Sequence, residues 1–588
     1  METIKGGEFL VKDVAEIFVS EEFNEEQLMM KEAVTDFIDR EVWPKKDRFE
    51  KKDYALTEEL MRKTGELGLL GVAIPEAYGG MQMGFVSTML VTDYISAATG
   101  SLGTAFGAHT GISVMPIFLY GTEEQRKKYL PDLVSGAKFG SYCLTEPTAG
   151  SDANSGKTTA RLSEDGKHYL INGAKMWISN AGFAEIFTVF ARIEDDKNIT
   201  AFIVEYDKNN PNGITLGEEE DKLGIKSSST RQVFFSDTKV PVENMLWERN
   251  KGFKIALNAL NVGRVKLAVA CLDATRRVIT ESVKYANERK QFKTPIGQFG
   301  AIQYKLGEMA TRTFVSDAGS YRAAKDIENF ITARVQEGDA EHIAELKAFS
   351  EYAIEAAILK VYASEGSQFV TDEGIQIFGG MGFSTEMPVE SAWRDARITR
   401  IYEGTNEINK LLTISMLLKK AMKGEVDLLG PATAVGKSLM GMPSFDKPDF
   451  SEPMSEELAM IKKLKDAFLM IAGSAVQKFG MELGKEQQLV GLAADIMIEI
   501  YMAESAILKA KKVKGEARYA MAKLNLFNAV QKIEKAAKEA VYYFAADDEQ
   551  RMMLMGIKRF TKYVNAPNPV LLRRTIAKEL LEANKYCF

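Results

Sequence analysis

A run of glycines leading to a single glutamate is the part of the chain whose residue types could do chemistry. Gly379, Gly380 and Gly382 fall close together, and Glu403 is followed at once by Gly404. With no Cβ in the way, such glycines let backbone N–H groups approach a bulky ligand, and backbone amides suit phosphate oxygens. The spacing is not G-x-G-x-x-G and no hydrophobic strand leads into it, so a Rossmann dinucleotide turn is not expected. Between the glycines and Glu403, Trp393-Arg394-Asp395 is followed by alternating apolar and basic residues through Arg400 and Ile401. That pattern predicts a carboxylate held at the end of a packed helix, facing whatever the glycines bind. The plainer alternative is a helix C-cap followed by an exposed glutamate in a turn.

The chain that must position these residues has 588 of them, enough for three or four domains. Hydrophobic residues make up 46% and charged residues 27%, the balance of a soluble protein with real cores. A net charge of -7 argues against nucleic acid as a partner and against a broadly basic membrane-binding face. Cys143, Cys271 and Cys587 are too few and too scattered for a disulfide framework, which fits a reducing compartment. His109, His168 and His342 are not in metal-ligand spacing, so no metal site is expected. The N-terminal METIKGGEFLVKD has no apolar signal core and is too acidic for a transit peptide. No stretch approaches 18 uninterrupted apolar residues. The expectation is a cytoplasmic protein that starts near residue 1, with no targeting or transmembrane segment.

Periodicity divides the chain. Residues 24–137 read as helical, and Gly103, Gly107 and Gly111 fall at i, i+4 and i+8 of one helix. Glycine inside a helix costs about 1 kcal/mol relative to alanine, so three on one face mean that something presses close: a neighbouring helix, or the floor of a deep apolar channel. Residues 138–247 change to β-branched and aromatic runs separated by turn residues, a β domain inserted between helical ones. Its strands carry YCLTEPTAGSD (Tyr142 to Asp152) and KMWISN (Lys175 to Asn180). A helical period returns over 248–423, where Asn261-Val262-Gly263-Arg264 puts a cation early in a helix, within reach of a phosphate or a pantetheine, and ERKQF spans Glu288 to Phe292. Residues 424–455 read as a Gly-, Pro- and Ser-rich linker. Within it GPATAVGKS imitates a P-loop, but the first gap is five residues instead of four and no strand precedes it. Residues 456–588 are helical again, with apolar stripes such as Leu458, Ile461, Leu464, Phe468 and Ile471.

Read together, these motifs resemble the acyl-CoA dehydrogenases, and the long C-terminal extension resembles their very-long-chain branch. The resemblance covers most of the chain and implies a mainly α fold: a helical N-terminal domain, a β-barrel middle domain and a four-helix-bundle domain, plus an extra C-terminal helical domain. It implies FAD as cofactor. Tyr142, Leu144 and Thr145 would line the pyrimidine side of the flavin, Trp177 would pack on it, and Ser179 would bond near N5. Thr405, Asn406 and Glu407 would contact the adenine half. Arg289 in ERKQF, with Phe292, would reach the FAD pyrophosphate of a neighbouring subunit, and Gln376, Gly379 and Gly380 would cover that subunit's FAD. Ser151 would contact the CoA portion of the substrate, as would Asn261 and Arg264, although the family carries an acidic residue where Asn261 stands. Gly103 and Gly107 would form the acyl-channel floor, with Gly404 beside the thioester.

In the implied reaction Glu403 is the base that removes the α-proton of the acyl thioester, its own backbone N–H and the flavin ribityl 2′-hydroxyl hold the carbonyl oxygen, and the β-hydrogen leaves as hydride to flavin N5. The product is a trans-2-enoyl-CoA, and electrons pass to an electron-transfer flavoprotein. The extension would cover the surface used by a second dimer, leaving a homodimer. The linker's only lysines, Lys437 and Lys447, are too few for membrane attachment. An acyl-CoA oxidase, or an assembly or scaffold protein on the same fold, are the alternatives; a nitroalkane oxidase would need Asp in place of Glu403.

Overall fold

The computed structural model describes residues 4–440 and 450–588. Lys447 of the linker and the first three residues lie outside them.

Besides the single turn Lys46–Glu50, six helices of seven or more residues build the N-terminal part: α1 (Glu25–Phe37), α2 (Tyr54–Glu66), α3 (Phe85–Ile95), α4 (Gly100–Gly107), α5 (Val114–Tyr120) and α6 (Glu123–Ser135). Their starts are written in the sequence. Asn24 and Gln27 exchange side-chain and backbone hydrogen bonds in a capping box at α1, and Thr122 with Gln125 does the same at α6. Gly136, at φ 75°, stops α6 in a left-handed cap. The helix α4 ends at Gly107 and passes into a wide π-turn over Ala108–Ser113. Gly111 is therefore not on one regular helical face with Gly103 and Gly107, as the i, i+4, i+8 spacing suggested. His109, inside this turn, accepts from Gly140 N at Nδ1 (3.1 Å) and places Nε2 2.9 Å from Leu133 O. Burial lowers its pKa to about 4. This neutral imidazole ties the helical part to the first strand.

The middle part is one eight-stranded sheet of β1 (Gly140–Cys143), β2 (Thr159–Leu162), β3 (His168–Ser179), β4 (Ile186–Ile193), β5 (Thr200–Glu205), β6 (Ile214–Leu216), β7 (Thr230–Pro241) and β8 (Met245–Leu246). The hydrogen-bonded path runs β6-β7-β3-β2-β4-β5-β8, with β1 parallel to β4. The register of β3 on β7 slips between Lys175 and Ile178. That irregularity turns Trp177 out of the pleat, at φ 60°, and leaves it 53% exposed.

Long helices then form the bundle: α7 (Gly252–Ala270), α8 (Leu272–Glu288), α9 (Gly300–Gln336), α10 (Ala353–Phe378), α11 (Pro388–Ile398) and α12 (Asn406–Met422). Two helical runs, Gly100–Tyr120 and Gly252–Glu288, are long and apolar enough to cross a membrane, but 78% and 83% of their apolar windows are buried inside the protein, so they serve as core helices.

The stretch read as linker contains a helix, Leu429–Met440, which absorbs the P-loop imitation. Its glycine and proline sit in the first turn, where proline costs no hydrogen bond, and Asp427 Oδ1 caps Gly430 N at 3.0 Å. The C-terminal domain follows: α13 (Ser455–Phe479), α14 (Gln487–Val513), α15 (Glu516–Phe544), α16 (Asp547–Phe560) and α17 (Pro569–Ala583). It seats directly on α9, which carries glycine where the docked helices come closest. A Cβ on Gly319 would lie 2.6 Å from Met502 of α14, and one on Gly307 would lie 3.0 Å from Arg573 of α17.

Candidate active site

Glu403 lies in the short link between α11 and α12, held by its backbone more than by its side chain. Its φ of 58° is left-handed, a conformation that costs a non-glycine residue about 1–3 kcal/mol unless its surroundings impose it. The surroundings do. Arg264 Nε donates to Glu403 O at 3.2 Å, and Asn409 Nδ2 donates to the carbonyls of Gly404 (2.8 Å), Thr405 (3.1 Å) and Glu403 (3.4 Å). Gly404 follows at φ 83°, and Thr405 caps α12 through Ile408 N at 3.3 Å. Asn409 and Lys360, whose Nζ donates to Asn406 Oδ1 at 2.7 Å, are site residues that sequence reasoning missed. The only signal was an Asn three residues after another in NEINK.

Arg264 does not stand early in a helix facing a phosphate, as expected. It sits in the second half of α7, 3% exposed, committed to the Glu403 carbonyl and to Asn261 Oδ1 at 2.9 Å. Asn261 in turn donates to Phe349 O at 3.1 Å. The physical reason is helix phase: the face that carries Arg264 is the one that packs against the Glu403 link.

The carboxylate points at Gly263. A Cβ there would fall 2.7 Å from Glu403 Oε2, so any larger residue would displace the side chain. Oε2 is buried without a hydrogen-bond partner, and among the described residues no cation forms an ion pair with it. Burial pushes the Glu403 pKa up to about 7, against the opposing pull of Arg264 and Lys360. The same burial lowers Arg264 to about 10 and Lys360 to about 8, and Glu403 holds each of them up.

Glu403 faces a cavity of about 170 Å³ whose walls include Gly103, Gly107, Ile112, Gly263 and Tyr402. Nothing lies within 4 Å of the Cβ that Gly107 lacks, so that glycine opens the cavity, whereas the missing Cβ of Gly103 would sit 2.8 Å from Ser96 Oγ and so also serves helix packing.

Ser179, at the end of β3, lines the cavity too. Beside it, Tyr142 is 8% exposed with its hydroxyl unpartnered and its ring edge-on to Phe190, and Leu144 is buried. The two motif strands are stitched by a buried ion pair that the sequence did not announce: Lys175 Nζ reaches Glu146 Oε1 at 2.7 Å and Leu144 O at 3.2 Å. Met176 N donates to Thr145 O at 2.9 Å. Ser151 is exposed on the loop beyond.

Two further motifs share a surface. Arg289 and Phe292 stand on an exposed hairpin after α8 (Lys290–Gln291 with Thr294–Pro295), and Phe292 is 91% exposed. Gln376, Gly379 and Gly380 are exposed at the end of α10. Tyr285 of α8 stacks on Phe378 of α10 at 4.2 Å, which sets the two side by side. Both Gly379 and Gly380 have open space where a Cβ would be. Gly382 does not, since its Cβ would strike Ile375 O at 2.4 Å, so its role is packing. Glu407 is exposed on the first turn of α12.

A carboxylate left unpaired in an apolar cavity, next to strands that present a free indole face, suits an enzyme that takes a weakly acidic C–H proton beside a flat redox cofactor. Comparison with known proteins gives that class its particular family. Family models described as the N-terminal, middle and C-terminal domains of acyl-CoA dehydrogenase match residues 24–137, 141–238 and 250–418, and a further acyl-CoA dehydrogenase C-terminal domain matches 463–559. A probable acyl-CoA dehydrogenase of Bacillus subtilis (strain 168) is 42% identical over 593 residues, covering 99% of this chain and 98% of its own. The mitochondrial very long-chain specific acyl-CoA dehydrogenase of Macaca fascicularis is 34% identical over 530 residues, 84% of this chain and 77% of its own. A crystal structure of an acyl-CoA dehydrogenase complexed with FAD from Bacillus anthracis superposes with a TM-score of 0.95 at 40% identity, over 100% of both chains. The chain belongs to the acyl-CoA dehydrogenase family and is an FAD-dependent enzyme. Its residues fit that cofactor: the Trp177 face is free, Thr145 and Ser179 are partly accessible beside it, and Gly379 and Gly380 keep their backbone open.

Proposed function

We propose that this enzyme desaturates long or very-long-chain acyl-CoA to trans-2-enoyl-CoA, the first step of fatty acid β-oxidation, with electrons passed on to an electron-transfer flavoprotein. The observation that carries the reading is the Glu403 carboxylate, buried and unpaired against Gly263 at a cavity that Gly107 leaves open.

In this reading Glu403 Oε2 accepts the α-proton of the thioester as the α,β double bond forms. The bound FAD would supply the acceptor for the β-hydrogen and its electron pair. The Glu403 N–H holds the thioester carbonyl oxygen, and the apolar wall keeps water from the developing negative charge. Arg264 and Asn409 act through the backbone, fixing the link that aims both groups of Glu403. Tyr142, Leu144, Thr145, Trp177 and Ser179 bind the flavin half of FAD, and Thr405 and Glu407 its adenine half. Ser151 and Gly404 contact the substrate. Arg289, Phe292 and Gln376 serve the FAD of a second copy, which makes the working unit a homodimer. The exposure of Phe292 and of Phe383 (88%) supports that assignment. We place the enzyme in the cytoplasm.

The test is an anaerobic titration of the purified protein with saturated acyl-CoAs of about 4 to 20 carbons, following flavin absorbance. Bleaching that strengthens toward the longer chains is expected. Bound flavin that no acyl-CoA reduces would overturn the reading.

A further inference from the structure

If the cavity above Glu403 takes an acyl chain, as proposed above, something must stop the chain's far end. Lys266 stands one helical turn beyond Gly263 on α7, so its side chain leaves the helix beside that glycine, on the flank away from Arg264. It is 5% exposed. Its Nζ donates to Thr110 Oγ1 at 2.7 Å and lies 5.8 Å from the centre of the Phe106 ring. The stem runs past Gly111, where an added Cβ would sit 3.3 Å from Lys266 Cδ. The third glycine of the GxxxGxxxG run is thus explained by the lysine, not by the channel.

Lys266 belongs to the wall of the cavity that holds Glu403 and, on its other side, to the wall of a second cavity of about 320 Å³ among Phe85, Met115, Val262, Ile331 and Phe349. That second cavity is no continuation for an alkyl chain as it stands. It contains Glu345, whose Oε2 is buried without a partner, and it is bordered by Glu328 and Glu341. Among the described residues no carboxylate forms an ion pair with Lys266, and burial alone lowers its pKa to about 7. A lysine buried without a counter-charge is costly. Salt bridging does not account for it. A long unbranched stem pinned at its tip, however, makes a bar across an opening.

We propose that Lys266 is a specificity-determining residue: its side chain, anchored on Thr110, closes the acyl cavity where it borders the second one and so limits the acyl chain the enzyme accepts.

The experiment compares wild type with Lys266→Ala and Lys266→Met across saturated acyl-CoAs of about 8 to 22 carbons. It reads flavin reduction and, separately, binding of the corresponding non-reducible 3-thia analogues. Each methylene buried in an apolar channel tightens binding about threefold to fourfold, so a wall appears as a break in affinity against chain length. Wild type should show such a break. In Lys266→Ala the break moves out by about four carbons and the preference for long over medium chains rises about tenfold or more, whereas the near-isosteric Lys266→Met keeps the break within about two carbons of wild type. Should Lys266→Ala fail to hold FAD, Thr110→Val, which removes only the anchor, takes its place, with the same direction and about a threefold change in preference expected. A wild type with no break, or a break that neither the alanine nor the valine variant moves, overturns the assignment. A protein that binds the analogues with the break yet reduces no flavin would fail the dehydrogenase reading while sustaining the wall.

Discussion

Two clusters of buried charge in this protein are built in opposite ways. At the seam where the C-terminal domain meets the catalytic body, the central charges are paired with one another. Arg276 bonds both oxygens of Asp93 at 3.0 Å and Asp317 at 2.6 Å; Tyr321 donates to Asp93 at 2.9 Å; and Lys509 of α14 reaches Asp317 and, at 3.1 Å, Glu21 of the N-terminal segment. At the active site Arg264 and Lys360 stand near Glu403, yet they spend their hydrogen bonds on the Glu403 carbonyl, Asn261 and Asn406, never on the carboxylate. Desolvation of a charge is offset only by direct pairing in good geometry, so the seam is an anchor. Burial raises the pKa of both carboxylates, Glu403 and the seam's Asp93, to about 7, but only Glu403 keeps an oxygen, Oε2, free of a partner and so open to an incoming proton.

The largest effect should come from removing the unpaired carboxylate. Glu403→Gln keeps the shape of the cavity and should keep FAD, while flavin reduction by acyl-CoA in stopped flow falls by roughly 10²–10⁴, the contribution of a general base. Turnover at the wild-type rate would take Glu403 out of the mechanism and erase the contrast between the clusters. The seam predicts the reverse pattern. Lys509→Met removes one partner from a closed network and should lower unfolding stability by about 1–3 kcal/mol, read from the denaturant midpoint, because Asp317 loses one of its two cations and keeps Arg276. Flavin reduction at low denaturant should change little. A variant as stable as wild type would mean that the seam's pairing only breaks even.

What was legible from sequence follows the same division. The helical and β periods, and the resemblance carried by YCLTEPTAGSD, KMWISN and the run to Glu403, rest on local pattern, and the helices, the strands and the family follow from them. What was not legible depends on which face of a helix meets which neighbour. The phase of α7 turns Arg264 inward to a backbone carbonyl 139 residues on, and no periodicity count shows that the glycine before it clears room for the carboxylate of that same residue. Nor does any local pattern show why Gly307 and Gly319 stand inside a long helix, since the reason is the approach of α17 and α14. Gly430 and Pro431 looked like linker because composition does not reveal that Asp427 caps a helix there. The π-turn broke the glycine face for a related reason: spacing predicts a face only while the turn stays regular.

The smallest effect sharpens the active-site half of the comparison. As the proposed base, Glu403 must be ionised to accept the proton, so kcat/KM should rise with pH through about 7 and level off above it. Arg264 is the larger of the two charges that hold this value down, so Arg264→Gln should move the rise to higher pH, by about one unit or less, and Lys360→Met should move it by less still. Arg264 also positions the link through its Nε bond, which would lower the rate at every pH. Arg264→Lys separates the two roles, since it keeps the charge and gives up the guanidinium geometry. Its profile should keep the wild-type midpoint at a reduced plateau, whereas the glutamine variant shows both the lower plateau and the shifted midpoint. If both variants keep the wild-type midpoint, Arg264 works on the Glu403 backbone alone, and the unpaired carboxylate owes its pKa to burial without help from the neighbouring guanidinium.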